Sequence, residues 1–126
     1  MRVLFLDDME ERHVRFENHF DGQFDITHAW GYKDCVDYLK SEEFDLVFLD
    51  HDLAETEIPD DPEDIFKNEF LSGTDVVHTI VQTMEKNEKS PGFVVHSVNP
   101  EGRERMVKML QHAGFDAQPY PFYWLF

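Results

Sequence analysis

The sequence predicts an α/β fold, a three-layer sandwich of helices around one parallel five-stranded sheet, and three observations predict it. Val3-Leu4-Phe5-Leu6, Leu46-Val47-Phe48-Leu49 and Phe93-Val94-Val95 are uninterrupted apolar runs, the pattern of strands covered on both faces. Segments with apolar residues at helical spacing alternate with these runs. At 126 residues and 15.0 kDa the chain has the size of one domain, 1–126, able to bury a core without staples. The single Cys35 forms no internal bridge.

The elements follow in order. After the first strand, a helix from about 10 to 20 rests on propensity more than on pattern. Phe24 to Ala29 alternates and reads as an edge strand. Gly31 precedes a short helix marked by Cys35, Val36 and Leu39. Beyond the third strand at 46–49, Val76, Val77, Ile80, Val81 and Met84 share one helix face, with Ser72-Gly73-Thr74 as turn and cap. Met106, Met109, Leu110 and Ala113 define the last helix, which stops at Gly114. Phe115 to Gln118 is a second weak edge strand. The aromatic tail, from Tyr120 and Phe122 through Tyr123 and Trp124 to Phe126, is expected to cover the sheet edge where a further helix would otherwise pack. Its alternative is a sticky surface for a partner. Between the third strand and third helix lies an acidic loop at about 54–72, expected to be solvated, with a lid over the site as its functional alternative.

Charge excludes whole classes of function. Eleven Lys and Arg stand against 27 Asp and Glu, a net charge of −16, so bulk DNA or RNA binding is not expected. A small phosphate ligand held through a metal stays compatible with this field, as does an acidic decoy that engages a basic protein partner. No apolar run approaches the length of a membrane span, and the start turns acidic after four apolar residues, unlike a secretory signal. A cytoplasmic location is expected.

In an open parallel sheet ligands bind beyond the carboxyl ends of the strands. The residues there are Asp7-Asp8, Asp50-His51-Asp52 and His96-Ser97-Val98-Asn99. In a flavodoxin-like sheet ordered 2-1-3-4-5 these three strands are neighbours, and their polar ends converge. Asp7, Asp8 and Asp50 then form a carboxylate cluster that either takes a proton or recruits a cation, with Mg²⁺ or Mn²⁺ suited to oxygen ligands. Asp50 and His96 are the candidate catalytic residues, His96 for proton transfer. Ser97, Asn99 and Arg103 are candidates to hold phosphate, at a helix start where Asn99-Pro100 also reads as a cap. His51 and Asp52 are secondary candidates, since one of them points sideways if Asp50 points into the mouth. Arg12 and His13, one turn into the first helix, are close enough to face it. His19, His28, His78 and His112 lack metal-ligand spacing and read as surface or packing residues.

These residues resemble a receiver domain of the response-regulator type, the CheY-like sandwich. Asp7-Asp8 is similar to its metal-binding acidic pair, Asp50 to its phosphoacceptor and Ser97 to the Ser/Thr after strand four. Tyr120 before Pro121 stands where receivers carry a lysine, and the last helix of receivers is lacking. The sequence more closely resembles the receiver-like family named for processing of cyclic phosphates, found in bacterial and phage conflict systems. That resemblance rests on Leu6-Asp7-Asp8, Leu49-Asp50-His51-Asp52-Leu53, Ser72-Gly73 and His96-Ser97-Val98-Asn99-Pro100-Glu101-Gly102 followed by Arg103. It implies metal-dependent processing of a small cyclic or terminal phosphate, on a nucleotide or an RNA end. The alternatives are a non-catalytic module for a phosphorylated ligand or partner, and the acidic decoy.

Overall fold

The computed structural model of the chain describes residues 1–53 and 72–122. They form β1 (Arg2–Leu6), α1 (Glu10–His19), β2 (Asp25–Ala29), α2 (Tyr32–Ser41), β3 (Leu46–Leu49), α3 (Gly73–Thr83), β4 (Gly92–Val95), α4 (Pro100–His112) and β5 (Ala117–Pro119). The strands make one parallel sheet in the order β2-β1-β3-β4-β5, as the alternation of apolar runs and helical segments predicts. None of the described helices is long and apolar enough to cross a membrane.

Side-chain alternation divides the core into two. Leu4, Leu6, Val47, Leu49, Phe93 and Val95 face α2, α3 and α4, where they meet Cys35, Val76, Val77, Ile80, Met106 and Leu110. The opposite face carries Val3, Phe5 and Phe48 against Phe16 of α1 and against Phe122. On this second side rings fill the space: Phe5 stacks on Phe16 at 4.2 Å, and Phe16 meets Phe48 edge-on at 4.9 Å.

Local chemistry sets the helix ends. Ser72 caps α3 by accepting the Thr74 N–H at 3.2 Å, and Asp75 returns the favour by accepting the Ser72 N–H at 2.7 Å. Asn99 caps α4 by accepting the Gly102 N–H at 3.2 Å, with Pro100 in the first turn. Gly114, with φ of 90°, ends that helix in a conformation that suits glycine.

Three details depart from the expectations. Val81 is 38% exposed, because five residues from Val76 is about 140° around a helix, off the buried face. Phe115 precedes β5 and packs edge-on against Phe93 at 5.5 Å, so its apolar character serves the core and the strand starts two residues later. Phe122 is buried over the β1 and β3 face, beside Phe5 and Phe48, and not along the sheet edge. The acidic segment 54–71 and the tail at 123–126 lie outside the described residues, and with them the lid expectation.

The start of α3 is pressed against the site. The Gly73 N–H donates to the His51 carbonyl at 2.8 Å, and a Cβ on Gly73 would lie 2.0 Å from the Asp50 carbonyl oxygen and 2.7 Å from Met106 Cε. Gly73→Ala is therefore expected to destabilise the fold by about 2–3 kcal/mol and to displace Asp50. Gly31→Ala, whose Cβ would meet only Asp34 Oδ1 at 3.7 Å, is expected to have little effect. Urea denaturation of the two variants checks this, and equal stabilities would show that the α3 start yields freely.

Candidate functional site

Register and alternation build the site. Leu6, Leu49 and Val95 are partners in one row across β1, β3 and β4, all facing the side of α2, α3 and α4. The next residues, Asp7, Asp50 and His96, therefore form the following row and turn to the opposite face, toward α1. Backbone bonds continue the sheet to this row: Asp7 N–H to the Ala29 carbonyl at 3.1 Å, Asp50 N–H to Leu6 at 3.1 Å and His96 N–H to Leu49 at 3.0 Å. The result is three buried polar residues whose ligand atoms lie within 4.8 Å of one another.

The three are in different electrostatic states. Burial raises the Asp7 carboxyl, but the His96 bond at 3.0 Å, the Met9 N–H at 2.9 Å and the Arg12 guanidinium outweigh it, and its pKa falls below the ordinary 3.8. Asp50 goes the other way, up to about 8: burial dominates, the Asp7 charge adds, Arg12 opposes, and Asp8 and Asp52 contribute a little more. Its Oδ1 accepts the His51 N–H at 2.9 Å, while the sealed Oδ2 makes no hydrogen bond among the described residues. His96 is fully buried, and that burial lowers its pKa despite the pull of Asp7. Its Nε2–H donates to Asp7 Oδ2, and its ring stacks on Phe5 at 4.8 Å.

Arg12 is the cation of this row. Only 9% exposed, it sets Nη1 3.2 Å from Asp7 Oδ2 and 3.5 Å from Asp50 Oδ2, and its guanidinium lies over the Phe122 ring at 5.6 Å. His13 is buried one residue on and donates through Nε2–H to the Asp7 carbonyl at 2.8 Å. Asp8 is half-buried beside Asp7. The acidic residues fit a divalent cation: Asp50 Oδ2 is a buried oxygen ligand without a hydrogen bond among the described residues, close to the ionised Asp7 carboxylate.

The other candidates gather at the α4 start. Ser97 Oγ accepts the Asn99 N–H at 3.1 Å, and Arg103 Nη1 donates to the Ser97 carbonyl at 2.8 Å. His51 turns away from the buried row. Its Nδ1–H donates to Asp52 Oδ1 at 2.8 Å, the Asn99 amide lies 3.4 Å from the same nitrogen, and the ring rests so close to Gly102 that a Cβ there would come within 2.4 Å. Ser97, Asn99 and Arg103 thus hold one another at the α4 start, beside the row formed by Asp7, Asp50 and His96.

Of two further neighbours of the site, sequence reasoning read His28 as a surface or packing residue and passed over Trp30. His28 Nδ1 lies 2.6 Å from His13 Nδ1, and Trp30 stacks on the His13 ring at 4.3 Å. The available signal was position: Trp30 follows the end of β2 directly, as Asp7 follows the end of β1.

The chain is similar in structure to receiver domains. A CheY-like response regulator receiver domain from Methylobacillus flagellatus matches with a TM-score of 0.65 and 19% identity, covering 96% of this chain and 85% of that one. The response regulator TrrA from Thermotoga maritima, solved in complex with Mg²⁺-BeF, matches with a TM-score of 0.60 and 21% identity, over 95% of this chain and 84% of that one. The Francisella response regulator 1452 receiver domain matches with a TM-score of 0.64 and 15% identity, over 98% and 88%. No curated protein matches the sequence. The sequence profile of the cyclic-phosphate processing receiver domain matches residues 2–112, nearly the whole of the sandwich. With that match, and with the 2-1-3-4-5 sheet carrying its acidic residues at the strand ends, the chain belongs to the cyclic-phosphate processing receiver domain family.

Proposed function

We propose that this receiver domain holds a divalent cation, Mg²⁺ or Mn²⁺, through Asp7, Asp8 and Asp50 and processes a small cyclic or terminal phosphate beside it. The observation that supports this reading most directly is Asp50: a buried carboxyl whose Oδ2 has no hydrogen bond among the described residues, in line with Asp7 and next to a guanidinium. The bound cation would polarise the phosphoryl oxygens.

The chain's own residues then have separate tasks. Arg12 meets phosphoryl oxygens as a planar, permanently charged donor. Ser97, Asn99 and Arg103 form the phosphate side of the mouth at the α4 start. Asp50, once ionised, is the nucleophile candidate: its Oδ2 would form a bond to phosphorus as a phosphate ester bond breaks, the leaving oxygen taking a proton from water, and a second water would then hydrolyse the aspartyl-phosphate and free the carboxylate. His96 holds Asp7 in place, and a proton from it reaches a ligand only by way of the Asp7 carboxylate.

A second reading, binding of a phosphorylated ligand without turnover, draws support from the same histidine, since a fully buried imidazole is poorly placed for direct acid–base work. An acidic decoy would need surface charge but not this buried row. Incubation of the protein with 2′,3′-cyclic nucleotides, with and without Mg²⁺ or Mn²⁺, separates the readings. Metal-dependent ring opening that falls at least about 100-fold in Asp50→Ala is the expected result. Ligand recovered intact from a saturable complex would favour the binding module, and turnover unchanged in Asp50→Ala would remove the catalytic reading.

A further inference from the structure

We propose that Trp30 is the platform on which the base of a nucleotide stacks while its phosphate sits beside the cation site of Asp7 and Asp50; the proposal rests on the phosphate reading above and narrows its substrate class to nucleotides. The first observation is where the exposed apolar side chains lie. Of the large hydrophobic residues exposed among the described ones, Met9, Trp30, Val98 and Tyr120 follow within three residues the ends of β1, β2, β4 and β5. A buried acidic centre is thus rimmed by apolar groups at the mouth where open sheets bind ligands.

The second observation is that Trp30 is held rigid yet left accessible. Its ring stacks on His13 with planes 26° apart, its indole N–H donates to Glu10 Oε2 at 3.1 Å, and its backbone N–H donates to Asp34 Oδ2 at 2.9 Å. Even so, 39% of the residue is exposed. An aromatic ring fixed before binding loses little freedom when a flat partner lands on it, and every nucleobase offers a π face.

The third observation is reach. His13 joins the platform to the pocket, touching Trp30 with its ring and the Asp7 carbonyl with Nε2–H at 2.8 Å. Because β2 neighbours β1, and β1 neighbours β3, Trp30 begins about 5 Å sideways from the end of β1 and about 10 Å from that of β3. A mononucleotide spans that interval from phosphate to base. The chain's net charge of −16 disfavours a long polyanion on the same rim, so the small nucleotide is the better occupant.

The test compares 2′,3′-cyclic AMP with base-free glycerol 1,2-cyclic phosphate by calorimetric titration of the full chain in Mg²⁺. The wild type is expected to bind the nucleotide about tenfold more tightly. Trp30→Ala should abolish that preference and leave base-free binding unchanged, Trp30→Phe should keep most of it, and Tyr120→Ala should not alter it. Equal affinity for the two ligands in the wild type, or a preference that survives Trp30→Ala, would overturn the platform while leaving the phosphate reading intact. Failure of both ligands to bind would overturn both. Where Trp30→Ala does not fold, Trp30→Phe and the wild-type ligand pair decide. Indole emission that follows protein concentration and ignores the nucleotide would put a second copy of the chain on the rim, and would also overturn the proposal.

Discussion

At pH 8 and without metal, Asp50→Asn melts about 5 °C or more above the wild type, and it no longer shows a saturable response to Mg²⁺ at the strand ends. Burial, with the charge of Asp7 added, lifts the Asp50 carboxyl from 3.8 to about 8 against the opposition of Arg12. The folded protein therefore keeps this proton up to about pH 8, whereas the unfolded chain releases it near pH 4. Between those values the folded state binds more protons, so the contribution of Asp50 to stability falls as pH rises through the window. An amide of the same shape does not ionise and lacks this slope. The two proteins should converge in stability near pH 4 and separate toward pH 8. Cation and proton compete for the same carboxyl, so wild-type Mg²⁺ affinity should rise with pH across that range. Thermal melts from pH 4 to 8, with backbone NMR titration of Mg²⁺ near Asp8, Asp50 and Ser97, measure both effects. Parallel pH profiles in the two proteins would show that Asp50 is not the group that keeps the proton.

Arg12→Gln is expected to destabilise the metal-free protein by about 3–5 kcal/mol, because the buried, ionised Asp7 then loses its guanidinium counter-charge. Arg12→Lys should recover part of the loss, since it restores the charge but not the planar fork that reaches both carboxylates. Saturating Mg²⁺ should stabilise Arg12→Gln more than it stabilises the wild type, the competing guanidinium having gone. Denaturation with and without the ion gives all three numbers. A Gln variant within about 1 kcal/mol of the wild type, the range of an exposed pair, would mean that the guanidinium is no structural counter-charge.

The strands β1 and β3 were the most legible parts of the fold, because both are four-residue apolar runs ended by aspartates. Such runs have few other uses in a chain this acidic. β5 was less legible: Phe115 carries the apolar signal of a strand but spends it on an edge-on contact with Phe93. For α1, the position of Arg12 and His13 one turn after Asp8 could be counted along the chain, but not which way each would face. Trp30 fell outside the reading, and His28 was read as a surface or packing residue, because β2 alternates weakly and its end carries no charged pair.

What the sequence determined by itself is the order of the elements, the parallel sheet and the set of polar residues at its strand ends, all properties of local pattern. What only the tertiary structure decided is the division of labour among those residues. The register aligning Leu6, Leu49 and Val95 makes Asp7, Asp50 and His96 one buried row, and it leaves His51 and Asp52 outside that row. Burial then separates two similar aspartates, one kept ionised by three donors and one pushed up to about 8. Both outcomes depend on dielectric and distance, which arise between strands far apart in the chain and so are written in no single stretch of it.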